Sequence, residues 1–193
     1  MSSRLIALAL CGVLAACGGG GYKTPPNNLH DACSIVDQRP KYYRAMKRTE
    51  RKWGVPIHVQ MATIHQESRF DGDARTPYRW KLGVIPMGRV SSAYGYAQAL
   101  DGTWEDYLDG PGRSRANRTN IKDATDFMGW YMDASYRELG ISKSDARRQY
   151  LAYHEGRAGY RRGSYNAKPW LINVSQRVER RAGQYQAQLA RCK

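Results

Sequence analysis

The chain has 193 residues, with 31 Lys and Arg against 17 Asp and Glu, which gives a formal net charge of +14. This length suits one domain with its own hydrophobic core, and a charge of this sign attracts polyanions. The basic residues are scattered, without a long basic block or a nucleic-acid-binding motif, so we expect no nucleic acid among the partners.

The first residues have the composition of an export signal. Arg4 is followed by a short apolar run that ends in small residues and is too short to span a bilayer comfortably, so residues 1–16 are predicted to be a signal peptide. The Leu-Ala-Ala-Cys that ends this run resembles a bacterial lipobox, which implies cleavage before Cys17 and a lipid anchor on it. An Asp directly after the lipidated cysteine would keep a lipoprotein from the outer membrane. Gly18 occupies that position instead, which implies an outer-membrane lipoprotein facing the periplasm. The alternative is ordinary cleavage beside an incidental cysteine.

The segment after the signal is rich in Gly, Pro and Asn. Residues 17–29 are therefore predicted to be a lipidated flexible tether, and residues 30–193 the folded domain. Two cysteines, Cys33 and Cys192, lie in that domain. In an oxidising compartment they are predicted to form a disulfide, with two free buried thiols as the alternative. For an exported domain, the positive charge favours anionic cell-wall polymers, peptide carboxylates and lipid phosphates.

Helical periodicity dominates the domain, and the predicted fold class is mainly α. Residues 71–93 lack a period and are predicted to form a long basic loop with room for a small hairpin. Thr103 is expected to cap a short helix, and Ser142 with Asp145 resembles a capping box that opens another. The predicted helices, in chain order, cover residues 40–53, 57–70, 104–108, 121–139, 142–156 and a long terminal segment after Pro169.

Glu67 is the candidate catalytic residue that the pattern offers. It lies about 80° around the helix from the stripe of Ile57, Met61 and Ile64, at the edge between core and cleft. Partial desolvation there raises the pKa of a carboxyl group, as a general acid near neutral pH requires. Considered alone, a structural salt bridge to one of the many Arg residues is the better explanation of a Glu at a helix edge.

Three stretches of sequence together favour a catalytic role for Glu67 over a structural salt bridge. The segment WGVPIHVQMATIHQESRF, which contains Glu67, resembles the surroundings of the catalytic acid of lytic transglycosylases. Gly-Tyr-Ala-Gln at 95–98 resembles the second motif of that family, Gly-Leu-Met-Gln. Ala-Tyr-His-Glu-Gly at 152–156 resembles the third, Ala-Tyr-Asn-Ala-Gly. The three motifs occur in the order of the family and span roughly residues 45–185.

The resemblance implies a lysozyme-like SLT domain with a substrate cleft. Such enzymes cleave the β-1,4 bond between N-acetylmuramic acid and N-acetylglucosamine of peptidoglycan, form 1,6-anhydro ends without water and need no cofactor. It implies that Glu67 acts first as acid and then as base. It further implies that Ser68 makes a polar contact in the cleft or at the helix end, and that Gln98 contacts the sugar. Tyr153 is implied to orient Glu67 through its hydroxyl.

The departures from the family pattern leave alternatives open. His154 stands where the family has Asn and is expected to bind substrate in its place. Glu155 adds an acid, either a second carboxylate at the site or a surface group paired with Arg157, and the second reading is favoured. A hydrolytic muramidase of the same fold would need such a group, with Asp71 and Asp73 as further candidates.

A non-catalytic module that binds the cell wall or lipid is the other alternative. No metal is expected, because His58 and His65 have no Cys or His partner at ligand spacing on the same face.

Overall fold

The computed structural model describes residues 23–193, so the predicted signal peptide and Cys17 lie outside the described residues. The described chain contains seven α-helices and one small sheet, which confirms the mainly α class. The elements are α1 (Ala32–Gln38), α2 (Pro40–Trp53), α3 (Ile57–Ser68), β1 (Tyr78–Lys81), β2 (Ile85–Arg89), α4 (Asp101–Asp109), α5 (Ile121–Leu139), α6 (Ala146–Arg161) and α7 (Pro169–Cys192).

The helix α3 forms the centre of the domain and contacts α2, α5, α6 and α7. Its buried surface is wider than the apolar stripe, because Gln60 and Thr63 are also fully buried. The amide of Gln60 compensates for its burial by donating to the carbonyls of Met46 and Val55 at 3.1 and 2.7 Å. Gln60 and Thr63 therefore belong to the core, and Gln60 holds α3 against the end of α2, whereas Thr63 donates to Val59 of its own helix.

The turn between α2 and α3 fixes where α3 begins. Gly54 ends α2 in the left-handed conformation, with φ of 72°, which a glycine adopts without steric cost. Glu50 then accepts a hydrogen bond from the backbone N–H of Ile57 at 3.1 Å. This carboxylate satisfies one of the free N–H groups of the first turn of α3, because Pro56 at the N-cap has no side-chain acceptor.

The two ends of the domain are joined. Cys33 and Cys192 form the predicted disulfide bond, with their Cα atoms 6.0 Å apart, so this prediction is confirmed. Beside it, Gln188 accepts from the N–H of Ala32 at 2.8 Å and donates to the carbonyl of His30 at 3.0 Å. The helix α1 is thereby fixed on the last turns of α7.

Several helix ends differ from the sequence predictions. The helix α5 has the predicted bounds, but α4 begins at Asp101, so Thr103 lies inside the helix and does not cap it. Asp145 caps α6 by accepting from the N–H of Arg148, whereas Ser142 bonds to a neighbouring serine. At Gly156 the backbone leaves helical geometry, with φ of 73° and ψ of 154°, so the first part of α6 ends there as predicted, and a short helical segment follows directly to Arg161.

The region predicted as a loop contains a β-hairpin. Strands β1 and β2 pair antiparallel, with Tyr78 opposite Arg89 and Lys81 opposite Ile85. All but the last of the strand residues are exposed, and the two strands contact each other but no other helix or strand of the described chain. No helix within residues 23–193 has both the length and the apolar character that a bilayer crossing requires.

Candidate active site

Glu67 lies in the last turn of α3 and is half-buried. Burial raises the pKa of its carboxyl to about 7, and a hydrogen bond from the Tyr150 hydroxyl partly opposes this shift. The two effects have opposite signs because burial disfavours the ionised form, whereas a donated hydrogen bond stabilises it. A carboxyl group with this pKa can both give and accept a proton near neutral pH.

Tyr150 is the partner of Glu67 that the sequence reasoning missed. It lies in α6, is buried, and donates to the carboxylate. Tyr150 precedes Tyr153 by three residues, so both rings lie on the same side of α6. The spacing of three residues is the sequence signal for this second tyrosine, whereas the third motif contains Tyr153 alone.

The hydroxyl of Tyr153 has a different hydrogen-bond acceptor from the predicted one. It donates to the backbone carbonyl of Ala97 at 2.6 Å, so its single proton is not available to Glu67. The prediction that the Tyr153 hydroxyl orients Glu67 is therefore wrong, because Tyr150 and not Tyr153 donates the hydrogen bond to this carboxylate. Burial raises the pKa of the Tyr153 phenol well above its usual value, and the negative charge of nearby Glu67 raises it further. The ring of Tyr131 packs edge-on against it, at 5.2 Å between centroids.

The second motif forms a turn that only glycine can begin. At Gly95, with φ of 78°, an added Cβ would lie 2.3 Å from the carbonyl oxygen of Arg118. Gln98 follows with φ of 47°, and its amide nitrogen donates to the carbonyls of Ala74 and Gly95 at 2.9 and 2.8 Å. Both amide protons are used, so the side-chain oxygen is the atom with which Gln98 can accept a hydrogen bond from a ligand.

Ser68 is buried and donates its hydroxyl to the carbonyl of Ile64 at 3.2 Å. This bond lies within the last turn of α3, so the polar contact of Ser68 is made to its own helix end. Arg69 and Phe70 then take left-handed conformations, with φ of 51° and 63°, and turn the chain away from the helix. The Ser68 side chain thus fixes the end of α3 directly after Glu67.

The prediction that Glu155 is a surface group paired with Arg157 is wrong. Its side chain is 4% exposed and pairs with Lys168 at 2.8 Å, while Arg157 pairs with Glu138. Although burial raises the pKa of Glu155, hydrogen bonds from Lys168, Ser164 and His154 lower it further, to about 2. Glu155 is therefore an ionised structural group at neutral pH.

Residues of the second and third motifs line one cavity of about 210 Å³. Gln98 and Tyr153 are in its wall, together with His154 and Glu155. His154 also packs edge-on against the half-exposed ring of Trp170, with 5.2 Å between centroids. The remaining lining residues are Ala99, Leu100, Thr103, Phe127, Tyr131 and Gly156. Three of the four predicted substrate-binding residues thus meet at one cavity, close to Glu67 through Tyr153.

The other acids near α3 are already engaged. Asp71 accepts from the N–H of Asp73 at 2.9 Å, and Asp73 pairs with Lys23 at 3.0 Å and accepts from Tyr94 at 3.2 Å. Within residues 23–193, no group of three His, Cys, Asp or Glu side chains is arranged to hold a metal ion. Glu67 is thus the half-buried acid near this cavity whose pKa lies near neutrality.

The domain has a mainly α, lysozyme-like fold in which Glu67, an acid of raised pKa, lies close to a cavity lined by Gln98 and Tyr153 without being one of its lining residues. The model of the transglycosylase SLT domain matches residues 5–192. The chain belongs to this family. No curated protein matches it.

Proposed function

We propose that this protein is a peptidoglycan lytic transglycosylase with Glu67 as its acid and base. The observation that carries the proposal is a single half-buried carboxyl whose pKa is raised to about 7, in a member of the SLT family. One group that must give a proton and then take one works best with a pKa between those of the two tasks.

In the first step, protonated Glu67 gives its proton to the glycosidic oxygen as the bond from C1 of N-acetylmuramic acid breaks. The N-acetylglucosamine side leaves as an alcohol, and the 2-acetamido oxygen of the substrate stabilises the positive charge at C1. In the second step, the Glu67 carboxylate takes the proton of the C6 hydroxyl, whose oxygen bonds to C1. The product is a 1,6-anhydro end, no water is consumed and Glu67 regains its proton.

The chain's other residues assist these steps in separate ways. The hydrogen bond from Tyr150 orients the Glu67 carboxylate. Gln98 accepts from the sugar through its side-chain oxygen, and Tyr153 closes the cavity against Ala97. His154 and Trp170 offer a ring surface at the cavity rim. The positive charge of the domain favours glycan strands that carry peptide carboxylates.

A hydrolytic muramidase has less support. It would need a second carboxylate to direct water, yet Asp71, Asp73 and Glu155 are each engaged in hydrogen bonds or ion pairs with neighbouring groups. Burial and Tyr150 are the two influences that set the pKa of Glu67, and neither is a second acid. The single-acid reaction therefore fits these contacts better.

Digestion of purified sacculi tests the proposal through product masses. We expect anhydro products from the unaltered chain and from Glu138→Gln, which removes a carboxylate at the surface pair with Arg157. Glu67→Gln should lower turnover by at least about 100-fold, since general acid catalysis contributes that much or more. Products heavier by one water would identify a muramidase, and binding without cleavage a non-catalytic module.

We also propose that the mature chain is an outer-membrane lipoprotein anchored at Cys17 and facing the periplasm. The lipobox-like segment and Gly18 support this assignment. Radiolabelled palmitate should enter the unaltered chain, which should fractionate with outer membranes, whereas Cys17→Ser should take up no label. Equal labelling of both chains would contradict the anchor.

A further inference from the structure

The β-hairpin carries most of the exposed apolar surface of the described residues. Seven of their ten exposed large hydrophobic side chains lie between residues 78 and 90. Leu82 and Val84 at the tip are 84% and 74% exposed, and Trp80 on β1 is 57% exposed. Because the strands contact no other helix or strand among the described residues, this surface is not covered by the core.

The hairpin also has one sign of charge. Residues 74–100 contain four basic residues and no acid. Two of the basic residues, Arg79 and Lys81, are exposed on the strand that leads to the tip. The guanidinium of Arg89 lies over the ring of Tyr78, at 4.3 Å from its centroid, on the partner strand. An apolar tip followed by cations and aromatic rings is the order of groups that suits the interface of an anionic bilayer.

The base of this hairpin lies beside Lys23, at the start of the described residues. The carbonyl of Lys23 accepts from the N–H of Gly72 at 2.7 Å, and the Lys23 ammonium pairs with Asp73, just before the hairpin. Lys23 is six positions after Cys17 in the sequence, and a chain of that length reaches at most roughly 20 Å. The four residues of β1 together with Leu82 and Gly83 at the tip span a similar length of extended chain, roughly 20 Å, so the tip and Cys17 can reach one surface.

We propose that the hairpin of residues 75–90 is a membrane-contacting element, which inserts Leu82 and Val84 into an anionic phospholipid leaflet. A glycan strand fits this surface poorly, because the aliphatic tip offers no side-chain hydrogen bond to sugar hydroxyls. The element orients the domain on the membrane and acts independently of the acid at Glu67. It also requires no lipid on Cys17 for weak binding, which makes it testable without the anchor.

The test uses residues 18–193 without lipid, since the hydrophobic core and the disulfide lie wholly within residues 32–192. Flotation with vesicles of phosphatidylcholine plus phosphatidylglycerol should recover the protein, and pure phosphatidylcholine should recover much less. The variant Leu82→Asn with Val84→Thr should bind about tenfold more weakly or worse. Asn suits the left-handed backbone of residue 82, which has φ of 54°, so the turn is preserved.

Two further variants distinguish insertion of the tip from electrostatic binding and from non-specific hydrophobic binding. Arg79→Gln with Lys81→Gln should weaken binding by about fivefold for each cation lost. Tyr136→Asn removes an aromatic side chain that is 49% exposed on α5, outside the hairpin, and should leave vesicle binding unchanged. On the vesicles, the tryptophan emission of the unaltered chain should shift to the blue, and Trp80→Phe should remove that shift.

Other outcomes would overturn the proposal. The proposal fails if the tip variants bind vesicles as tightly as the unaltered chain. It also fails if the tip residues mediate dimer formation or binding to sacculi instead of binding to vesicles. Cleavage of soluble glycan strands by the tip variants should stay at the unaltered rate. If no preparation cleaved glycan, the proposed enzymatic function would fail while vesicle binding could still be scored.

Discussion

At the scale of single residues, the chemistry depends on how Glu67 is solvated. Burial raises the pKa of the carboxyl, and Tyr150 lowers this pKa by donating a hydrogen bond to the ionised form. The result, about 7, lies between the values that a pure acid and a pure base would need. One acid can therefore serve both steps because two opposed interactions set its pKa.

The variant Tyr150→Phe tests the contribution of the hydroxyl to this balance. The ring keeps its burial, but the ionised carboxylate loses a hydrogen bond worth about 1.5–3 kcal/mol. We expect turnover to fall by about 10- to 150-fold. The pKa of Glu67 should rise, so the alkaline limb of the pH–rate profile should move to higher pH. Initial rates on soluble glycan strands across the pH range measure both effects.

Tyr42→Phe is the matched control for that variant. It also removes a buried phenolic hydroxyl, but one that bonds to Tyr96 at 2.9 Å and not to Glu67. It should lower the melting temperature slightly and leave the pH profile in place. An unchanged profile in Tyr150→Phe, with the fold preserved, would mean that Tyr150 only fills space.

The raised pKa of Glu67 also predicts a cost in stability. A folded-state pKa above the unfolded value, near 4.5, means that stability is fully present below pH 4.5 and is lost as pH rises through about 7. A shift of this size corresponds to at most about 3 kcal/mol, and water at the half-buried carboxyl reduces that to about 1–2. Urea unfolding should show Glu67→Gln to be more stable than the unaltered chain at pH 8 and about equal at pH 4.

The difference between those two pH values is the measurement that decides. If Glu67→Gln shows the same stability difference at pH 4 and at pH 8, the carboxyl is not strained by burial. The assignment of Glu67 as an acid poised near neutrality would then lose its physical basis.

The site was predictable only where a residue's role is local. The helix period placed Glu67 at the edge of the core, and the structure finds it half-buried there. The partner of Glu155 was not predictable, because Lys168 reaches it from beyond the end of α6, thirteen positions along the chain. Tyr150 was missed for a related reason, since its contact crosses from α6 to α3. Pairings between elements depend on tertiary packing, which no period records.

At the scale of elements, the kink in α6 is what presents the third motif. The helix carries Tyr150 and Tyr153 on one side and then changes direction at Gly156. Immediately before the kink, Glu155 binds Lys168 and Ser164, which lie in the turn that leads to α7. This ion pair connects the kinked part of α6 to the start of α7, and so holds the wall of the cavity.

Glu155→Gln should weaken this connection in a pH-dependent way. The pKa of Glu155 is lowered to about 2 in the folded state, so its contribution is present above pH 4.5 and lost as pH falls toward 2. Lys168 is partly exposed, so we expect a loss of about 1–2 kcal/mol at pH 7. Thermal unfolding from pH 7 to pH 2 should show the gap between the two chains closing.

Measurements of activity distinguish a structural role of Glu155 at the kink from a role as a second catalytic carboxylate. If it only holds the kink, Glu155→Gln should keep most of its turnover at a temperature well below melting. A loss comparable to that of Glu67→Gln, in a folded variant, would instead make Glu155 a second catalytic carboxylate.

The helices were predictable where their end signals are local. The apolar stripe of α5 and the left-handed Gly140 after it gave its bounds. The helix α1 has only seven residues, too few for a period to show, and it is fixed by contacts with α7. The change of direction in α6 also follows a local signal, because Gly156 takes a left-handed φ of 73° there, whereas the ion pair of Glu155 with Lys168 just before it depends on tertiary packing.

At the scale of the whole molecule, the chain closes on itself. The disulfide joins residues 159 positions apart, and α1 is also held on α7 by hydrogen bonds from Ala32 to Gln188 and from Tyr185 to Leu29. These hydrogen bonds hold α1 and the residues just before it on α7 in addition to the covalent bond. The main effect of the disulfide falls on the unfolded chain, whose freedom it restricts.

The double variant Cys33→Ala with Cys192→Ala measures that effect. The loop-entropy model gives an upper value of about 5 kcal/mol for a loop of this length, and retained structure in the unfolded chain lowers it. Urea unfolding should show a lower midpoint for the double variant, and for the unaltered chain in reductant. The double variant itself should not respond to reductant. Equal midpoints in all four samples would mean that the hydrogen bonds of α1, and not the disulfide, secure the ends of the domain.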